Sequence, residues 1–467
     1  MTLDTNNPLH AFALWATDTS RDWSDLAITR AHNALIDTVA VMIPGANEPV
    51  TQKVFSLARK WGAGTCNAAG FTDGLSAPMA ALVNGTAAHA LDFDDNFDPA
   101  KAHASAVLVP ALLAVADENN LSGDALLDAY IVGLQITGLV GQGVNPFHRN
   151  RGWHATATVG TVGAAAGCAR LMGLNAEKTA HAISLSTSLA GGFMSQFGTM
   201  AKPLHAGLAA AGAVQAAQLA EAGITAGSET LHGDKGMGTL MVGPDVEELR
   251  AVMANKDEHG QKVTFRTDNI GTPLHIEKYG LKVKRFPNCG SIHRALDGLL
   301  ELKETHGITA EDVEKILVRA PASHLRNLMY ERPATMAEAK FSLEYGLAVG
   351  LKCGNATLSD YTNSAIQRPE ITALLPLIER DYVEKLETDF PTEVHIFLKS
   401  GKKVQSKVDM PVGSSPNPLS LAQLWDKFTA CAAGNIHSKR AEKIKLALEA
   451  LATGKPVREL TNLLAAG

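Results

Sequence analysis

ATATVGTVGAAAGCAR, residues 155–170, and LHAGLAAAGAVQAAQLAEA, residues 204–222, decide the fold class. Both run far beyond the length of an ordinary strand without a turn signal, so they read as helices. Their alanines and glycines leave little bulk at the contact faces, which lets neighbouring helices approach closely. Working outward, a capping hydroxyl precedes apolar residues at helical spacing in three further places. Ser24 opens a run to Met42, Ser76-Ala77-Pro78 one ending near Asp92, and Ser122-Gly123-Asp124 another. Roughly the first 265 residues are therefore helix after helix. The texture changes after Asp268. Ile316-Leu317-Val318 and Val394–Leu398 read as strands, and Ser400-Gly401-Lys402 as a hairpin turn into Val404–Met410. Helical patterns lie around Met336–Gly350 and Tyr382–Glu387, and from Ser420 the pattern is helical again. The expected fold is mainly α: an all-helical domain from residues 1–267 and 411–467, carrying an inserted smaller α+β domain at 268–410.

The chain has 467 residues, of which 46% are hydrophobic and 19% charged, enough for a large core. A formal charge of −6 argues against general nucleic-acid binding, though a local basic patch can still hold an anion. Residues 1–25 lack a basic start followed by an apolar run, and the longest apolar run, Ala106–Ala116, is too short to span a bilayer. Five cysteines, none spaced for zinc or for a redox pair, fit free thiols in a reducing compartment; four read as small core residues. A cytoplasmic protein without a membrane segment is expected.

Four segments concentrate chemistry. The first is His89-Ala-Leu-Asp92-Phe-Asp94-Asp95-Asn96-Phe97-Asp98, with His103 beyond it. On a helix His89 and Asp92 would share a face. A calcium loop fails here, because Phe97 stands where glycine is needed and His103 where a bidentate glutamate belongs. Asp94, Asp95 and Asp98 match a magnesium–diphosphate motif of isoprenoid synthases, but a second acidic motif is missing and aromatic residues make up only 5% of the chain. The remaining readings are an acid–base cluster at a helix end, or a solvated helix terminus. The second segment is Arg151-Gly152-Trp153-His154-Ala155-Thr156, where helix amides would hold His154 neutral, as a base or as a structural histidine.

In the third, Pro203 at the first helical position would place Lys202 at the cap, an unfavourable site for a cation unless an anion binds there or the side chain splays into solvent. The fourth gathers His275, Lys278, Lys282, Lys284, Arg285, Cys289 and His293, a basic stretch that suits a carboxylate-rich ligand or forms an exposed strand edge. Gly233 to Gly238 lacks the phosphate-loop pattern.

In chain order, His89–Asp95, His103-Ala-Ser105, Trp153-His154-Ala-Thr156, Lys202-Pro203-Leu204-His205, Lys284-Arg285-Phe286-Pro287 with Cys289 and His293, and Tyr330 with Arg332-Pro333 resemble the MmgE/PrpD family of 2-methylcitrate dehydratases, cis-aconitate decarboxylases and iminodisuccinate epimerases. The resemblance implies that the α+β domain is a lid, that the protein is a homodimer, and that the active site lies between body and lid without metal or organic cofactor. It implies catalytic roles for Asp92, His154, Lys202 and Cys289, and substrate binding by Asn96, His103, Lys284 and Tyr330. Two departures stand out. The segment from Asp92 to His103 is one residue longer than in the decarboxylases, and Cys289 stands where they carry a histidine. The tryptophan-containing insertion and the His-Pro-Ser-Asp run of typical methylcitrate dehydratases are also missing.

The expected activity is thus proton abstraction next to a carboxylate in a small di- or tricarboxylate, of the epimerase type. Lysine and histidine would neutralise the charge of the intermediate. A family lyase, dehydratase or decarboxylase, is the alternative; a magnesium-dependent isoprenoid synthase and a non-catalytic scaffold stand further off.

Overall fold

Ser24 caps its helix as expected: its hydroxyl accepts from the Ala27 amide, and the helix runs Asp25–Gly45. The computed structural model describes residues 3–243, 265–385 and 390–465. It divides into two compact units, residues 1–282 with 424–467, and residues 283–423. Mainly α with some β is the correct class.

The first unit is helical. Its principal helices are α1 (Pro8–Asp18), α2 (Asp25–Gly45), α3 (Pro49–Trp61), α4 (Ala77–Ala90), α5 (Ser105–Asn119), α6 (Gly123–Val144), α7 (Ala155–Leu171), α8 (Ala176–Thr187) and α9 (Ala201–Glu221). Small residues do here what their spacing implied. A Cβ on Gly207 of α9 would lie 2.3 Å from the Leu82 carbonyl oxygen of α4, and one on Gly85 would lie 2.9 Å from the Gly207 Cα. The two helices therefore touch backbone to backbone, which any larger residue would forbid. α2 and α6 are long and apolar enough to cross a bilayer by length and composition, but 67% and 89% of their apolar windows are buried within the protein. The uninterrupted-run criterion had missed both, because isolated polar residues such as Asp37 and Gln135 break the runs.

In the second unit, strands β1 (Val313–Pro321), β2 (Ile378–Val383), β3 (Thr392–Leu398) and β4 (Lys403–Val408) form one sheet in the order β2-β1-β3-β4. β1 pairs parallel with β2 and antiparallel with β3, which pairs antiparallel with β4 through the expected turn at Gly401. Alternate residues Ile316, Val318, Val394, Ile396 and Val404 are buried with Leu296 and Leu299 of the helix Gly290–His306. Such a one-sided apolar face is what period-two alternation gives.

Four expectations need correction. Tyr382 and Val383 lie in β2, not in a helix, Glu384 and Lys385 follow it outside any helix, and residues 386 and 387 of that segment fall outside the described residues. The pattern Met336–Gly350 is two helices, Met336–Ala339 and Leu343–Cys353, because the Ser342 side chain caps the second by accepting from Tyr345. The stretch 275–293 forms no strand; His275–Lys278 and the start of Gly290–His306 are helical. Finally, the segments 268–282 and 411–423 belong to the helical and the α+β unit respectively, beyond the expected limits at 267 and 411. Lys282 and Asn96 exchange backbone hydrogen bonds of 2.9 and 2.8 Å, while Val283 donates to the Gly413 carbonyl at 2.8 Å.

Candidate active site

Helix α4 ends at Ala90, so His89 sits in its last turn and Asp92 lies beyond it. The two do not share a helix face, contrary to the sequence reading. Instead the chain reverses at Asp92, whose φ of 54° is in the left-handed region. Non-glycine residues adopt it at some cost, and aspartate tolerates it better than most. The following loop is pinned on both sides. Asn96 is held by the Lys282 bridge, and Phe97 donates to the Ala102 carbonyl at 2.8 Å across a one-turn 3₁₀ helix, Asp98–Ala100. Asp98 also pairs with Lys282 at 2.7 Å. The His103 amide then donates to Thr156 Oγ1 at 3.1 Å, tying the loop to the start of α7.

These constraints assemble basic and acidic groups in alternation. Lys202 Nζ donates to Asp92 Oδ1 at 2.8 Å, and the same oxygen lies 3.7 Å from His103 Nε2. His103 Nδ1 approaches Asp94 Oδ2 at 3.2 Å. His89 Nδ1 meets the same oxygen at 2.8 Å. Asp94 and His89 are fully buried, whereas the Asp92, Lys202 and His103 side chains keep 19%, 18% and 13% exposure. Those three form the accessible edge of the cluster.

Burial alone would raise the Asp94 carboxyl, but His103 and His89 outweigh it and hold it well below the usual range. Burial pushes the His89 imidazole down to about 4, against the pull of Asp94. A neutral His89 donating Nδ1–H to an ionised Asp94 satisfies both. Next door, burial pushes Asp95 up to about 7, opposed by the Ser105 hydroxyl and aided by Asp37.

His154 caps α7, and its amide donates to the Gly192 carbonyl at 3.0 Å. Its Nδ1 lies 3.1 Å from His205 Nδ1, so one imidazole donates and the other accepts. The rings of His154 and His89 are 5.9 Å apart. Phe197 meets the His154 ring edge-on at 4.9 Å, and the Lys202 ammonium is 5.4 Å from the Phe197 centroid. His154 is held far below its ordinary value, as expected, but chiefly by burial and then by the charges of His89, Lys202 and His103. Lys202 is also not at the cap. α9 begins at Ala201, with Met200 capping and Thr199 Oγ1 accepting from the Ala201 amide, so Pro203 sits within the first turn, where its missing N–H costs nothing.

The helical unit thus brings together Asp92, His103, His154 and Lys202, with Asn96 serving the loop through its backbone. Lys284, Cys289 and Tyr330 belong to the α+β unit. There Lys284 is buried, Arg285 pairs with Asp297 at 2.8 Å, and half-buried Cys289 caps Gly290–His306, its amide donating to Lys340 at 2.9 Å. Tyr330 is 37% exposed. His205 stood in a sequence motif without a role, and Asp94 was weighed only as a magnesium ligand. A short aspartate run flanked by phenylalanines was the available signal that one carboxylate is buried against histidine.

His89, Asp92, Asp94 and His103 offer donor atoms within 4.8 Å of one another, a set that a cation could use. Asp92 already receives the Lys202 ammonium and Asp94 both imidazoles, so a cation would have to displace these partners. As it stands, the site can neutralise carboxylates with Lys202 and move protons through imidazoles.

Residues 10–249 match the MmgE/PrpD N-terminal domain and residues 286–453 the MmgE/PrpD C-terminal domain. Among curated relatives, the chain is 26% identical over 458 residues to a cis-aconitate decarboxylase of Mus musculus, covering 94% of this chain and 90% of that one. It is 25% identical to the cis-aconitate decarboxylase of Homo sapiens, covering 94% and 91%. A cis-aconitate decarboxylase-like protein of Aspergillus oryzae is 24% identical, with 94% and 92% covered. With both domain matches in order along a site of this geometry, the chain belongs to the MmgE/PrpD family.

Proposed function

We propose that this chain is a lyase that decarboxylates a small, unsaturated tricarboxylate of the cis-aconitate kind without a cofactor. The observation that carries the reading is the Lys202–Asp92–His103 array at the accessible edge of a histidine-rich cluster. The relatives matched over 94% of the chain bear decarboxylase names, which favours a lyase over the epimerase expected from sequence.

The chemistry is an allylic shift. The bond from the saturated carbon to its carboxylate breaks, and carbon dioxide leaves. The freed electron pair forms a new double bond to the central carbon, and the far carbon of the old double bond takes up one proton. Lys202 is the group that holds the remaining carboxylates and opposes the negative charge of the intermediate. His103, between two carboxylates, is the candidate proton donor; it regains its proton from solvent, and His154, kept neutral by burial, is the candidate relay for that proton.

A panel assay tests this. Cis-aconitate, a 2-hydroxytricarboxylate and an imino-dicarboxylate are each supplied, and released carbon dioxide is trapped. Stoichiometric carbon dioxide from cis-aconitate alone is expected; faster elimination of water, or inversion without gas, overturns it. Cys289 supports a second reading, epimerisation, since a thiol stands where the resemblance puts the decarboxylase histidine. The proposal also takes Lys284, Tyr330 and Asn96 as substrate-handling groups, the α+β unit as a lid and the protein as a cytoplasmic homodimer. Exposed Phe193, Met200 and Leu208 are consistent with a second copy, which light scattering would detect.

A further inference from the structure

Lys427, on the helix Leu421–Ala432, is an ammonium that the reaction does not use, yet its side chain is only 4% exposed. Burying a lysine is costly unless its charge and hydrogen bonds are met. Lys427 Nζ lies 2.5 Å from Asp37 Oδ1 on α2, a residue equally withdrawn from solvent. It also donates to the Phe93 carbonyl at 2.9 Å and sits 3.9 Å above the centre of the Phe93 ring. Phe93 is the residue between Asp92 and Asp94. Its carbonyl belongs to the peptide plane that leads into Asp94, one step after the left-handed turn at Asp92.

We infer that Lys427 is a positioning residue: it anchors the Phe93–Asp94 peptide so that Asp92 and Asp94 address the two nitrogens of His103. The neighbouring holds are of another kind. Asp95 takes the Ser105 hydroxyl, which also meets Tyr130 at 2.7 Å, and Asn96 pairs with Lys282 through the backbone. Lys427 alone reaches the stretch between the two reacting-side carboxylates among the described contacts. Asp37 is its charge partner, while the bond to the loop backbone comes from Lys427 itself, so the roles of the two residues can be separated.

The separation gives the test, which rests on the proposed reaction only for its turnover arm. In Asp37→Leu/Lys427→Met both charges go and the packing is refilled, so the melting temperature should stay within a few degrees. Turnover should fall about 10- to 100-fold with KM little changed, the scale of a small misplacement of catalytic groups. Amide exchange at residues 94–97 should quicken at least about 10-fold, because the loop opens locally. Asp37→Asn keeps the Lys427–Phe93 bond, so it should melt lower but keep turnover within about 3-fold of wild type at temperatures where it is folded. If turnover and exchange instead follow melting temperature across both variants, or the double variant retains wild-type turnover and exchange, Lys427 is merely structural. Should Asp37→Asn prove too unstable, the double variant decides alone. The exchange arm stands whatever the substrate proves to be.

Discussion

Lys202→Met removes the one ammonium of the described cluster while keeping the length and apolar stem of the side chain. Its Nζ is 2.8 Å from Asp92 Oδ1, and both side chains are more than four-fifths buried. A substrate carboxylate held at the same ammonium would sit roughly 5 Å from the centre of charge. At an effective dielectric constant of about 20, one such pair is worth about 3 kcal/mol, or somewhat over 100-fold in rate or affinity. The loss should exceed this single term, because the Asp92 carboxylate stays behind and repels the substrate. The double variant Lys202→Met/Asp92→Asn removes that repulsion and should recover part of KM, but not kcat. The assay is steady-state decarboxylation at low and high salt. Wild-type KM should rise with ionic strength, and that of Lys202→Met should respond much less. A Lys202→Met enzyme within about 5-fold of wild type in kcat/KM would refute the placement of substrate charge at this residue.

Other outcomes follow from the same geometry. His154→Gln should cut kcat about 100-fold or more while the protein stays folded by circular dichroism, because a glutamine amide cannot take up and release a proton as an imidazole does. Cys289→Ser should leave carbon dioxide release within a few-fold if the chain is a lyase; a far larger loss, with solvent exchange surviving on one face, would favour two-base inversion. Stability should decline on acidification. His89 and His148 are pushed down to about 4 and His275 to about 3 by burial, so the unfolded chain takes up protons below pH 6.5 that the folded chain refuses. Their contribution is complete above pH 6.5 and is lost as the pH falls toward 4 and 3. Asp95, raised to about 7, opposes the trend as one carboxyl against several imidazoles, and melting curves from pH 7.5 to 5 report the net slope. Activity should survive exhaustive chelation, since Lys202 and the imidazoles already fill the carboxylates; loss with EDTA and rescue by magnesium would assign the cluster to a cation.

The helical body was legible because its signals are local. A serine cap at Ser24 and alanine–glycine runs at helical spacing carry their meaning within a few residues. The hairpin at Gly401 was legible for the same reason. What escaped depends on partners distant in the chain. Tyr382 reads as helical until Ile316 and its neighbours supply a parallel strand for that segment. The start of α9 was misplaced because Pro203 fits any position of a first turn, and Thr199 decides which. In the site, the histidine and lysine motifs could be found one by one. The arrangement Lys202–Asp92–His103–Asp94–His89 could not, because it requires α4 to stop at Ala90 and the chain to turn left-handed two residues later. Lys427 gave no signal at all: in sequence it is one more lysine on an amphipathic helix, some 330 residues from the carbonyl it holds.

The central claim is the reaction, and proton NMR of cis-aconitate turnover in deuterated water addresses it most directly. An allylic decarboxylation predicts one molecule of carbon dioxide per substrate and a methylidene dicarboxylate with a single deuteron on the methylene next to its carboxylate. Inversion or exchange of a proton next to a carboxylate with no loss of carbon dioxide, at the enzyme's best rate, would contradict the lyase account and return the protein to the epimerase reading.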